Sequence, residues 1–500
     1  VNGPADILAG WPWAAWTVLL PFIAALLSFI DQRRAAAWGV GAGLATLLAV
    51  AGLVWQVVQQ GAQRYAVGGW GAPLGIELYA DGLSALMLAM TAVVGAVVSL
   101  YAVPYFGGTR ADAAPAGTWF WPLWLLLWTA LNALYLSADA FNLYVTLELL
   151  GLSAMALVAL AGGAAAVGAA MRYLLVGLLG SLAYLLGVAL LYASYATLDL
   201  AALRAAVAAG PAAWTAMALM TAGLLLKTAL FPLHFWLPPA HANAPTPVSA
   251  LLSALVVKAS FYLLLRLWFD VFAPLATPLA YQMLGALGAA AVLWGSLQAF
   301  LATRLKLLVA YSTVAQLGYL FLAFPLAQGG AAFTAWSGAV YLALAHACAK
   351  AALFLTAGNI AQSAGHDRIA ELPGLSQHLP VTLLAFGLAG VSLMGLPPSG
   401  GFVAKWLLLN AALAGGQWWW AAVIVLGGLL AAAYIFRVAV SAFRPAAADP
   451  GCRPVAAGME WAALSLSILA ILLGLAASPP LALLAVGAPV AGPVLTTGAP

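Results

Sequence analysis

Apolar runs long enough to cross a membrane recur from one end of the chain to the other, separated by short polar, glycine- or proline-rich breaks. A spanning helix needs about 20 apolar residues. Fourteen runs meet that need, centred near residues 20, 47, 92, 128, 152, 184, 224, 257, 291, 316, 347, 388, 430 and 470. Some are longer than a straight crossing requires, which predicts tilt or kinks. The pattern predicts an all-α polytopic membrane protein. The longest stretch between runs, 56–82, contains "GGWGAPLGIELYAD" and reads as an extracytoplasmic loop.

Composition narrows this further. The 500 residues are 66% hydrophobic and only 6% charged, against about 25% charged in a soluble domain. The net charge of +4 is spread over loops, with no basic block suited to nucleic acid. No soluble domain, Walker motif or G-x-G-x-x-G between a strand and a helix is present, so no nucleotide or flavin site is expected. Cys348 and Cys452 have neither metal spacing nor a disulfide framework. The start of the chain lacks the features of a cleavable signal peptide.

Lysine and arginine in short loops set orientation. Loops after odd-numbered runs hold Arg33, Arg34, Arg110, Arg172, Arg304, Lys306, Arg368, Arg444 and Arg453; those after even-numbered runs hold Arg64 and Arg204, with Arg266 near a helix end. The bias predicts cytoplasmic odd loops and both termini on the extracytoplasmic side, in a bacterial cytoplasmic (inner) membrane.

The lysines change the picture from architecture to chemistry. All five lie in or beside membrane runs: Lys227, Lys258, Lys306, Lys350 and Lys405. Lys306 opens the tenth run and could snorkel to the interface; the other four sit near mid-run. A charge at the bilayer centre costs about 2.5–3.5 kcal/mol, so four lipid-facing lysines would cost roughly 10 kcal/mol. They are expected to face the bundle interior, either as helix glue bonded to carbonyls or as proton carriers. Buried lysine can take and release protons, whereas arginine stays charged. The chain puts arginine in loops and lysine in the membrane, a division that favours proton chemistry. Glu148 is the only carboxylate deep in a run, and is expected to pair with Lys227; Asp81 and Asp139 lie near run ends and Glu460 begins the last. His346 and Lys350 are four residues apart and share a helix face. His234, His241 and Tyr311 join Lys306 as accessory candidates.

Two runs are interrupted. "LFPLHFWLPP" places Pro232 and Pro238 after Lys227; "MGLPPSGGFVAK" places Pro397, Pro398 and Gly400 before Lys405. Unwound backbone inside a membrane is tolerated only within protein or beside a cavity, and paired interruptions in two halves point to an inverted repeat around a transport site. Runs seven and twelve are five apart, giving units over runs 4–8 and 9–13. The expected divisions are 1–112 (first three helices), 113–272 and 273–445 (the two units) and 446–500 (last helix and tail).

At these residues a family resemblance emerges. "LLLKTALFPLHFWLPPAHANAPTPVSALLSALVVK", "RLKLLVAYSTVAQLGYL", "HACAKAALFLTAGNI" and "GLPPSGGFVAKW" resemble the antiporter-like subunits of Mrp cation/proton antiporters, respiratory complex I and membrane-bound hydrogenases, over roughly residues 80–440. The resemblance implies fourteen helices, an inverted five-helix repeat, and a proton path through Glu148, Lys227, Lys258, His346, Lys350 and Lys405. Glu148 and Lys227 would form a modulating pair, Lys258 and His346 would carry protons along a hydrated axis, and Lys405 would face the exit or the next subunit. Lysine at 258 and 405 looks like the Mrp D-type subunit, and also fits the complex I subunit nearest the redox arm. Arg304 departs from relatives that carry an aspartate there. No counterpart of the long lateral helix of the largest complex I subunit follows the last run, and a subunit of inorganic-carbon uptake complexes is a weaker match. The implied function is proton translocation beside other membrane subunits, first in a Na⁺/H⁺ antiporter and alternatively in a redox-driven pump. No cofactor or metal is expected in this chain; redox groups would sit on partners.

Overall fold

The computed structural model describes residues 10–73, 75–107, 113–445 and 452–490. Arg110 and the predicted edges at 112 and 446 lie outside these. Helices α1 (Trp13–Ile30), α2 (Ala35–Gln60) and α3 (Gly82–Gly107) open the chain, with a hairpin of β1 (Gln63–Ala66) and β2 (Glu77–Ala80) between α2 and α3. Then follow α4 (Ala113–Leu136), α5 (Ala140–Ala159), α6 (Gly163–Tyr195), the short α7 (Leu200–Ala206), α8 (Pro211–Thr228), the short α9 (Leu237–Asn243), α10 (Thr246–Leu251) and α11 (Val257–Arg266). The second half holds α12 (Pro278–Leu301), α13 (Leu305–Phe321), α14 (Ala323–Leu326), α15 (Ala332–Ala364), α16 (Leu375–His378), α17 (Pro380–Met394), α18 (Gly400–Ala414), α19 (Trp418–Phe443), α20 (Ala457–Leu475) and α21 (Ser478–Leu484).

Among the described residues twelve helices are long and apolar enough to cross a membrane. The runs that fail to form one such helix are the seventh and twelfth, the two read as interrupted. The stretch 246–271 is buried apart from half-buried Asp270 and α15 nearly so, while α1, α6 and α19 bury about a third of their residues. A helix apolar all round belongs inside. The two innermost staves therefore carry Lys258, His346 and Lys350.

Both interruptions end their first helix the same way. After α8, Ala229 turns left-handed at φ 57°, Leu230 N–H bonds Leu225 O at 3.2 Å and Ala229 N–H bonds Leu226 O at 3.2 Å. After α17, Gly395 turns left-handed at φ 80°, Leu396 N–H bonds Val391 O at 3.1 Å and Gly395 N–H bonds Ser392 O at 3.2 Å. This is the Schellman ending, which caps two carbonyls and leaves the last ones to outside donors. The first break covers the turn between α8 and α9. Pro238 is not part of it: it lies in the first turn of α9, where a missing N–H costs nothing. Gly400 likewise opens α18, behind the Ser399 cap.

Other expectations need correction. The loop 56–82 folds as an antiparallel hairpin with Gln63 opposite Ala80 and Ala66 opposite Glu77, so the fold is nearly, not wholly, α. Beside it the Arg64 guanidinium, 2.6 Å from Glu77, holds that carboxyl below the usual range. Arg172 belongs to α6 rather than to a loop. Arg266 is not a loop-side charge: it is buried on α11 and grips Asp81, itself buried at the start of α3, by two bonds of 2.5 Å. Tyr262 OH accepts from Arg266 Nε at 3.0 Å, and the Asp81 carboxylate also accepts from Ser84. The pair ties the central stave to α3 and to the hairpin strand that precedes Asp81.

Removing one partner of a buried pair strands the other charge, a loss of about 3–5 kcal/mol. Arg266→Leu is expected to reduce the amount of folded protein and lower the melting temperature in detergent; adding Asp81→Asn should recover part of that loss. An unchanged melting curve for Arg266→Leu would refute the tie.

Candidate functional site

Glu148 and Lys227 meet as the sequence pairing requires. Lys227 Nζ donates to Glu148 Oε1 at 3.2 Å, and Ser181 Oγ on α6 donates to the same oxygen. The fit depends on small residues. A Cβ on Gly180 would lie 3.2 Å from Lys227 Cγ and 2.8 Å from the Gly223 carbonyl oxygen, so α6 and α8 cross in close contact with the lysine stem alongside. The pair is not sealed: the Glu148 side chain keeps 19% of its surface exposed and Lys227 keeps 9%. A cavity of about 20 Å³ leads from Lys227 past Tyr173 to Val256 and Ser260, on either side of Lys258 in the chain. That is room for about one water. Thr228 Oγ1 bonds Ser260 Oγ at 3.0 Å and ties the end of α8 to α11.

Lys258 is fully buried. It lies two residues past the end of a π-helical turn, Leu252–Val256, and its ammonium donates back into that turn, to Ser253 O at 2.5 Å. Such turns are rare and often mark functional positions. Their sequence carries no composition signal, and the reading from residues missed this one and a second at Leu267–Val271. Lys350, on α15, reaches to α13, donating to Val309 O at 2.6 Å and to Ser312 Oγ. His346 sits one turn earlier, buried, with both ring nitrogens unbonded among the described residues. Lys258, Lys350 and Lys405 all lie close enough to act on its charge.

Lys405 answers the second interruption. Its ammonium donates to Leu393 O at 2.7 Å and Met394 O at 3.4 Å, the carbonyls that the Schellman ending leaves open. Gln316 shares Leu393 O at 3.2 Å, and the Tyr319 ring lies 4.4 Å under the cation. Gly395 makes room for the side chain, since a Cβ there would meet Lys405 Cδ at 2.6 Å.

The accessory candidates divide. Lys306 does not snorkel away: its Nζ donates to Ala244 O at 3.0 Å, between α9 and α10. Arg304, the departure noted in the sequence, pairs with Asp367 at 2.9 Å, so the loop after α15 supplies an aspartate at that corner. His241 is buried against the Phe354 ring, its ring nitrogens unbonded among the described residues, within electrostatic reach of Lys350, Lys258 and Lys306. His234 lies in the first break, stacked on Phe231. Tyr311 is half-buried on α13 and bonds none of the lysines. Cys348, given no role by the sequence reading, is buried and close enough to Lys258 to act on it. Among the described residues no three His, Cys, Asp or Glu side chains cluster to hold a metal.

Known proteins share this plan. The family described as "NADH:quinone oxidoreductase/Mrp antiporter, TM" matches residues 137–431, which include every residue of the lysine and histidine axis. NADH-quinone oxidoreductase subunit N of Desulforudis audaxviator is 36% identical over 446 residues, covering 87% of each chain. The D-type Na(+)/H(+) antiporter subunit of Bacillus subtilis is 28% identical, covering 85% of this chain and 86% of that one. A chain from the membrane-bound sulfane sulfur reductase, an archaeal respiratory membrane complex, superposes with a TM-score of 0.86 at 28% identity, over 95% of this chain and 96% of that one. The chain belongs to the NADH:quinone oxidoreductase/Mrp antiporter family of membrane subunits.

Proposed function

We propose that this chain carries protons through the middle of the membrane as one subunit of a larger complex. The observation that supports it most is the row of buried groups Lys258, His346, Lys350 and Lys405, in which the three amines bond carbonyls and a hydroxyl rather than carboxylates. A neutral amine can keep such partners; an ion pair would hold the proton in place. Among the described residues Glu148 is the one carboxylate on the axis, and it sits beside Lys227. At about 4 Å and an effective dielectric near 20, such a pair is worth roughly 4 kcal/mol before desolvation. Drawing it out to about 8 Å halves that, an approximately thirty-fold change in how firmly Lys227 keeps its proton. Close pairing loads Lys227; separation passes the proton toward Lys258.

The path has a side branch. Asp367 accepts from the Lys306 backbone N–H at 3.4 Å, Lys306 bonds Ala244 O, and His241 lies between this corner and Lys350. On the orientation drawn from loop charges, the branch opens to the cytoplasm and both termini lie outside. The inverted repeat over 113–272 and 273–445, giving fourteen crossings between flanking segments 1–112 and 446–500, is supported by matched details. Both breaks share one helix ending. Asp139, before α5, bridges Asp199, after α6; Arg304, before α13, bridges Arg368, after α15.

A Na⁺/H⁺ antiporter of Mrp type and a redox-driven pump can use the same axis. Lysine at 258 and 405 fits either; the 28% identity to a D-type Na(+)/H(+) antiporter subunit supports the first, with Na⁺ as the exchanged cation. The 36% identity to a quinone oxidoreductase subunit supports the second, with any redox cofactor on partner subunits.

In the assembled complex in vesicles, Lys227→Ala is expected to abolish proton flux with assembly intact. Lys227→Arg should do the same, because arginine keeps the pair but holds its proton; near-normal flux in either variant would sink the switch. Native purification followed by mass spectrometry separates the two complexes. Small membrane subunits with sodium-dependent flux mean an antiporter, and iron–sulfur or flavin subunits with electron-coupled flux mean a pump.

A further inference from the structure

A groove of about 680 Å³ opens on the outer surface between α2, α3 and α20, with none of the axis residues in its walls. Ala36, Val40, Leu100, Val103 and Trp461 line it, together with Ser465. It offers a polar ligand nothing, since the Ser465 hydroxyl already donates to Ala462 O at 2.9 Å. Leu100, Val103 and Trp461 are exposed along it. Its volume lies in the range of about 300–1,000 Å³ that encloses a drug-sized molecule, a scale that suits an acyl chain.

Three arginines flank one end of the groove in the chain. Arg33 and Arg34 immediately precede α2, whose first turns supply Ala36 and Val40. Arg453 precedes α20, and its segment is pinned to the end of α15 by Arg453 N–H to Ser363 O at 2.9 Å and Ser363 Oγ to Arg453 O at 2.8 Å. Among the described residues the carboxylate paired with Arg34 is Asp31 at 4.0 Å, an exposed contact that holds little. Arg33 and Arg453 have no side-chain partner among the described residues. An apolar channel in the membrane region that ends in exposed guanidinium groups has the chemistry of an anionic lipid site.

We propose that this groove binds one anionic phospholipid, its acyl chain along Val40, Leu100 and Val103 and its phosphate held by Arg33, Arg34 and Arg453. The site is independent of the proton path and of which complex the chain serves.

The test uses the purified complex, washed in detergent containing phosphatidylethanolamine, with retained lipid counted by native mass spectrometry. Wild type is expected to retain phosphatidylglycerol or cardiolipin through the wash. The triple variant Arg33→Gln, Arg34→Gln, Arg453→Gln should bind phosphatidylglycerol on the order of a hundredfold more weakly. Leu100→Trp, which fills the groove and keeps the arginines, should lose it too, and its melting curve reports whether the fold survives. Equal retention in both variants, no anionic lipid on wild type, or a partner subunit's helix cross-linking to a photoreactive residue at 103 would each overturn the proposal.

Discussion

An ammonium group inside an apolar bundle needs acceptors, and a broken helix inside the same bundle has carbonyls that need donors. Each problem is the other's solution. Lys405 bonds the carbonyls that α17 leaves open, and Lys306 bonds Ala244 O where α9 stops. The second break is thus held by a side chain that the proposed path uses, while at the first it is the Trp236 indole that donates to Leu226 O, at 3.0 Å. This coupling explains why Lys405 stands beside its interruption in the sequence, and carbonyl acceptors likewise let the buried staves be polar at their centres.

The same geometry shows how a bland arrangement differs from a functional one. A lysine bonded to a carbonyl is what helix glue would look like, and Lys258 alone would be read that way. The set is harder to read so. Lys258, Lys350 and Lys405 all act on His346, whose nitrogens are unbonded among the described residues. Its place within electrostatic reach of three amines is what the proposal of proton exchange at His346 rests on.

Much of this was legible in the residues. The spans, both interruptions and the partnership of Glu148 with Lys227 follow from local rules: run length, proline position and the rarity of a buried carboxylate. What was not legible depends on distance along the chain or on backbone shape. Arg266 lies 185 positions from Asp81, so each looked like an ordinary charge at a helix end. The π turn before Lys258 is written in alanine, leucine, serine and valine, which fit an α-helix equally well. The hairpin 63–80 lacks the tight two-residue turn that would announce it. Lys306 looked free to snorkel because its acceptor, Ala244, belongs to the other half of the chain.

The acceptors of the three central amines differ in where they are anchored. Lys258 bonds its own helix and Lys405 bonds across its own interruption, so each carries its partners with it. Of the three, Lys350 alone reaches to a different stave, taking both a carbonyl and a hydroxyl from α13. A rigid-body slide of α13 against α15 would strip both at once; it would also shift the Tyr319 ring under Lys405, which keeps its two carbonyls. Lys350 is thus the central amine whose hydrogen-bond acceptors both lie on a neighbouring stave, so its contacts register any sliding between α13 and α15.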